Sequence, residues 1–128
     1  MGEHDFTYAL YPHFGAVTEG GTIEEANTLN LPAQVVSGKF IDQRQLVNVS
    51  SNCVQIDVVK KAEDENCLIV RMHECRGSKN HVILSSEYPV KYFVPCNLLE
   101  HDCGEKVEGT SVEFVVSPFE IRTFKMYF

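Results

Sequence analysis

Tryptophan is absent from the 128 residues, and positive charge is scarce. Eleven Lys and Arg stand against eighteen Asp and Glu, for a formal net charge of -7. A nucleic-acid-binding surface gathers Lys and Arg on one face, so this balance argues against nucleic acid and against anionic membranes as partners. No apolar run approaches the roughly 20 residues needed to span a bilayer. The N-terminus lacks the charged-then-apolar plan of a secretory signal. The five cysteines are odd in number and irregularly spaced, with no Cys-x-x-Cys pair. That usage fits reduced thiols in a cytoplasmic protein better than a disulfide framework. Asn48-Val49-Ser50 matches a glycosylation sequon, which carries little meaning without a secretory context.

What is present is core material. Eight Phe and five Tyr accompany a hydrophobic fraction of 44%. The length fits a single domain over residues 1–128, large enough to bury roughly two thirds of its unfolded surface. Val54, Ile56 and Val58 alternate with Gln55 and Asp57, and Leu68, Val70 and Met72 alternate with Arg71 and His73. Period-two alternation predicts half-buried strands, with residues 61–66 as their hairpin connection. Further strands are predicted at 6–11, 81–85, 91–94, 112–116 and 119–126. Thr22 and the acids Glu24 and Glu25 open a weakly apolar segment that Pro32 ends. It reads as one short helix or a structured loop near 22–30, with Thr22 as its cap. Many short strands without long intervening helices predict an all-β fold, an antiparallel β-sandwich.

Several clusters invite chemistry. Cys96, His101 and Cys103 carry zinc-ligating atoms, but structural zinc sites pair ligands through tight knuckles, so a core cysteine and a loop histidine are the plainer reading. His73 and Cys75 share a strand face and can be imagined as base and nucleophile; a polar exposed face explains them as well. Glu63-Asp64-Glu65 lacks the spaced ligands and glycine of a calcium loop and reads as a solvated turn. The best cluster is His4, Asp5, Tyr8, Tyr11 and His13, where rings and a carboxylate can meet a sugar; the alternative is backbone capping and packing at a sheet edge. Glycoside hydrolysis needs two carboxylates at a set separation. No Asp or Glu here lies in a motif that marks it as one of them, so no catalytic residue and no metal ligand is assigned.

Five blocks of the chain resemble the C-terminal region of family 38 glycoside hydrolases, the zinc-dependent retaining α-mannosidases. They are His4-Asp5-Phe6-Thr7-Tyr8-Ala9-Leu10-Tyr11-Pro12-His13, where the family usually has Glu at the second position, and Ile23 to Pro32, with Asn27 in place of an aromatic. Next come Val59-Lys60-Lys61-Ala62-Glu63-Asp64 with Leu68 to Gly77, then Asn97-Leu98-Leu99-Glu100, and last Pro118-Phe119-Glu120-Ile121-Arg122-Thr123. Together they resemble the cytosolic, bacterial-type branch. The resemblance implies a C-terminal β-sandwich of the supersandwich or immunoglobulin-like kind, a fragment of a larger enzyme that acts on mannosides and oligosaccharides. It also implies that zinc and the nucleophile reside in a catalytic barrel missing from this chain, that Met1 is a cloning or domain boundary and not a native start, and that the fragment itself has no cofactor and no turnover. The barrel of the same polypeptide is then its partner, with His4, Asp5, Tyr8, Tyr11 and His13 as weak candidates for the substrate rim or docking face. Homo-oligomerisation stays open. An independent carbohydrate- or protein-binding sandwich is the alternative.

Overall fold

The computed structural model describes residues 2–39 and 42–128. It divides into two compact units, Met1–Lys39 and Phe40–Phe128. In the first, the only regular element among the described residues is α1 (Thr22–Asn30). Thr22 is its first helical residue. The N-cap is Gly21, at a φ of 75° that suits glycine. The predicted cap is therefore displaced by one residue, and no side chain caps the helix. The C-terminal end is closed by the Leu31 N–H donating to Asn27 O at 2.8 Å.

The predicted strand at 6–11 does not form; residues 2–12 have no ladder partner. Its alternation is of ring against aliphatic, so both faces are apolar and neither is suited to water. Tyr8 stays 80% exposed and Phe14 fully exposed.

All the strands of the described residues lie in the second unit: β1 (Asn48–Val49), β2 (Val54–Lys61), β3 (Leu68–Glu74), β4 (Asn80–Ser85), β5 (Tyr92–Cys96), β6 (Val107–Glu108), β7 (Ser111–Val116) and β8 (Ile121–Tyr127). They make a three-stranded sheet, β1-β4-β7, and a five-stranded sheet, β2-β3-β8-β5-β6. Every pairing is antiparallel. The predicted antiparallel sandwich is thus the observed fold of this unit. Pro95 sits within β5 beyond the reach of β6, which pairs only with Tyr92 and Phe93, so its missing N–H breaks no ladder there.

One core joins the facing sheets. Val54, Val70, Met72, Phe93, Phe124 and Met126 come from the five-stranded sheet, and Val82, Leu84, Val112 and Val116 from the other. The Phe114 ring reaches across to Phe124 with centroids 5.0 Å apart. The alternation in β2 is broken once. Ile56 pairs with Met72, but Val58 pairs with Arg71, so Asp57 is the extra residue of a β-bulge.

The five-stranded sheet also buries part of its outer face. Ile69, Cys67, Cys96 and Ala62 form a second cluster there, with Tyr127 against it. The loop after β5 covers this face. It returns along β5 through a bridge from Cys96 to Asp102. The Arg71 guanidinium clamps it, donating to Leu98 O at 3.1 Å.

Candidate functional site

Three of the resembling blocks meet in the second unit, at two places on the five-stranded sheet. The first is the end of β3. Glu74 alternates with Met72 and Val70 and therefore points inward, where it is completely buried. Its Oε1 accepts from the N–H groups of Arg76 at 2.9 Å and Ser78 at 3.1 Å. Its Oε2 accepts from Gly77 at 2.8 Å and Phe119 at 2.9 Å. The Ser78 hydroxyl adds a contact to Oε1 at 3.2 Å. Burial disfavours the charged form, yet the N–H donors of Phe119, Ser78, Arg76 and Gly77 outweigh it and hold the carboxyl at about 2.

The same contacts fix two unusual backbones. Gly77 has φ +72°, and a Cβ there would lie 3.0 Å from Phe119 Cζ. Phe119 itself has φ 59°, a left-handed conformation uncommon for a bulky residue. Its ring remains 71% exposed. Glu74 and Gly77 of one block thus hold Phe119 of another. The carboxylate is saturated with donors and sealed from solvent, so it cannot exchange protons with a substrate.

The second place is a cleft of about 400 Å³ on the outer face, between the β2–β3 turn and the loop after β5. Lys125 of β8 lies at its base with a side chain only 4% exposed, 2.7 Å from Asp102 Oδ1 and also paired with Glu65. Burial works against its charge, but the bonds to Asp102 and Glu65 prevail and its pKa is raised. It stays protonated and is no nucleophile. Tyr127 donates to Glu65 as well. On the rim, Glu100 accepts from the Glu63 N–H at 2.9 Å and pairs with Lys60 at 2.9 Å. Glu63 and Glu100 belong to two different resembling blocks. The acidic turn 63–65 is therefore a tied rim, and Leu98 and Leu99 stand exposed beside it.

His73 and Arg71 lie on the outer face as expected from alternation. His73 Nδ1 is 2.8 Å from Asp57 Oδ2, a contact that the bulge makes by turning Asp57 outward. Cys75 Sγ is directed at Cys53 O, 3.3 Å away. Cys96 is buried and its thiol is pushed up to about 11 by desolvation, while His101 and Cys103 are exposed. Among the described residues no group of three His, Cys, Asp or Glu side chains is arranged to hold a metal ion.

In the first unit, Tyr11 and His13 come together with stacked rings 5.9 Å apart. Phe6 and Tyr8 form a second, tilted pair at 6.3 Å. His4 and Asp5 lie exposed on non-regular backbone. Leu10 and Tyr11 face α1 across a cleft of about 420 Å³ that includes Thr22 and Glu25. Sequence reasoning missed Glu74 and Lys125. The inward phase of β3 pointed to Glu74, and the apolar neighbours Phe124 and Met126 flanked Lys125.

Residues 53–124 match the glycosyl hydrolases family 38 C-terminal beta sandwich domain. The chain belongs to this family. It is 31% identical to alpha-mannosidase G of Dictyostelium discoideum over 98% of its length, which is 12% of that relative. It is 34% identical to alpha-mannosidase 2C1 of Mus musculus over 96% of its length, 13% of the relative. Against an alpha-mannosidase of Saccharomyces cerevisiae the identity is 25% over the whole chain, 14% of the relative. The family 38 chain thus spans about an eighth of the proteins it matches. No solved structure matches it. No helix among the described residues is long and apolar enough to cross a membrane.

Proposed function

We propose that this chain is the C-terminal segment of a cytoplasmic, zinc-dependent, retaining α-mannosidase, and that it serves the absent catalytic barrel as an accessory domain. The observation that carries this reading is the end-to-end likeness to alpha-mannosidases that are far longer than the chain. The chemistry supports it. Glu74 is buried and fully bonded, Lys125 is locked in ion pairs, and neither can serve as acid, base or nucleophile. The role this arrangement suits is mechanical: a sandwich whose loops hold Phe119, Leu98 and Leu99 exposed. In the first unit, Phe6, Tyr8, Leu10 and Phe14 are an apolar surface suited to the catalytic region, with His4 and Asp5 nearest its cleft. Zinc sits among ligands of the barrel, and mannosides are bound there.

The test is hydrolysis of an aryl α-mannoside by the full polypeptide, with and without a zinc chelator. Turnover that the chelator abolishes supports the reading; turnover insensitive to metal removal contradicts the zinc assignment. The alternative, an independent sugar- or protein-binding module, draws on the cleft lined by Leu10, Tyr11 and Glu25. Calorimetric titration of the isolated chain with mannosides tests the sugar-binding form of that alternative, because an accessory domain gives no heat of binding.

A further inference from the structure

We propose that Cys53 and Cys75 form a reversible redox site, a cross-strand pair that a small disulfide oxidant converts to a disulfide at the open end of the β2–β3 hairpin. Val54 pairs with Glu74, and one step further the Cys75 N–H donates to Cys53 O at 2.8 Å. The register places the two cysteines opposite each other just beyond the paired strands, joined by this one hydrogen bond; the Cys53 N–H turns to Ser51 Oγ at 3.2 Å instead. Opposed residues of an antiparallel ladder hold their Cα atoms about 4.5–5.5 Å apart, inside the range of roughly 4.4–6.8 Å that a disulfide spans. Glu74 points into the core, so the Cys75 thiol projects onto the outer face, and the Cys53 thiol, now 3.7 Å from Asn52 Oδ1, must turn towards it for the bond to form. Cys75 Sγ already lies over the partner residue, 3.3 Å from Cys53 O. Both are half-buried, open enough for a small oxidant.

The other thiols do not offer this geometry. Cys67 and Cys96 are buried, and desolvation raises both, which keeps them as poor nucleophiles. Cys103 is exposed, but Asp102 is the residue opposite Cys96, and Cys103 lies opposite Pro95 instead. One residue out of register sends the two side chains to opposite faces.

With oxidised glutathione as oxidant, one cysteine thiolate attacks the disulfide and releases one glutathione thiolate. The second cysteine thiolate then attacks the mixed disulfide at the protein sulfur and releases the other. Two electrons pass to the oxidant, and the two protein protons end on two glutathione thiols. The new bond would tie Cys53 to the turn that begins at Arg76, whose N–H groups cradle Glu74. Oxidation would therefore stiffen the support of Phe119.

The experiment is a non-reducing peptide map of the chain after millimolar oxidised glutathione, with thermal unfolding of the same samples. The expected result is a Cys53–Cys75 linked peptide lighter by two hydrogens, a melting temperature raised by several degrees, and reversal by dithiothreitol. Cys53→Ser should lose the link and the shift, while Cys96→Ser should keep both. Glutathione left separately on Cys53 and Cys75, a Cys96–Cys103 link in place of theirs, or a linked form without the shift would overturn the proposal.

Discussion

Replacing Glu74 by Gln keeps the side chain's size and removes its charge, which isolates what the carboxylate does. In the fold it is held at about 2, against an ordinary value of 4.5. A difference of that size corresponds to about 3 kcal/mol of stability at neutral pH. The folded value is depressed, so the contribution is complete above the unfolded value and disappears as pH falls from about 4.5 towards 2. The amide meets a further obstacle. Oε1 serves Arg76 and Ser78, and Oε2 serves Gly77 and Phe119, so either orientation of Gln turns an NH2 group towards two N–H donors. Each buried N–H left without an acceptor costs about 1–3 kcal/mol. The expected total is a loss of roughly 3–5 kcal/mol. In urea, a slope of about 1.5 kcal/mol/M turns the lower figure into a midpoint drop of roughly 2 M. At pH 7 the variant should unfold that much earlier, and at pH 2 the gap should narrow because Glu74 is then about half protonated and most of the stability linked to its depressed value is gone. A midpoint within about 0.3 M of the parent at pH 7, or a gap unchanged at pH 2, would refute the reasoning.

Gly77→Ala should cost roughly 1–2 kcal/mol in thermal unfolding, because φ is +72° and Phe119 Cζ is 3.0 Å from the new Cβ. An unchanged melting temperature would remove the argument from close approach. Lys125→Met should cost little, since Glu65 and Asp102 return to water. Removing both of those carboxylates as Glu65→Ala with Asp102→Ala should cost about 3 kcal/mol by stranding the buried ammonium. Equal melting temperatures for the two variants would contradict that asymmetry. If the full polypeptide is the proposed zinc enzyme, Tyr11→Ala or His4→Ala in it should lower stability or activity with zinc content intact. Equal hydrogen-exchange protection of residues 4–30 in the fragment and the full enzyme, with activity unchanged in both variants, would sink the docking idea.

Strands were legible wherever one face was apolar and the other polar. Val82 and Leu84 in β4, or Val112, Phe114 and Val116 in β7, alternate cleanly because the three-stranded sheet buries one face only. The five-stranded sheet was harder to read. Its outer face is covered by the loop after β5, so Ile69, Thr123 and Lys125 are buried on the side that alternation assigns to solvent. Whether a loop folds back over a sheet depends on long-range ties such as Arg71 to Leu98, which no local pattern records. The bulge at Asp57 was hidden for a related reason: a register shift is a property of two strands, and Val54 to Val58 looks regular alone. Glu74 was in plain view as an inward position of β3, but charge suggested solvent, and its four backbone N–H donors come from two segments far apart in sequence. In the first unit, the aromatic run at 6–11 had strand-like residues and no partner to pair with.

The central claim is that this sandwich is the accessory end of an α-mannosidase whose chemistry lies elsewhere in the polypeptide. Its most direct test is release of p-nitrophenol from p-nitrophenyl α-mannoside, measured in parallel for the full-length polypeptide and for residues 1–128 alone. Turnover by the full polypeptide and none by the fragment is the expected pair of results; turnover by the pure fragment, or a full polypeptide inactive on every α-mannoside, would contradict the account.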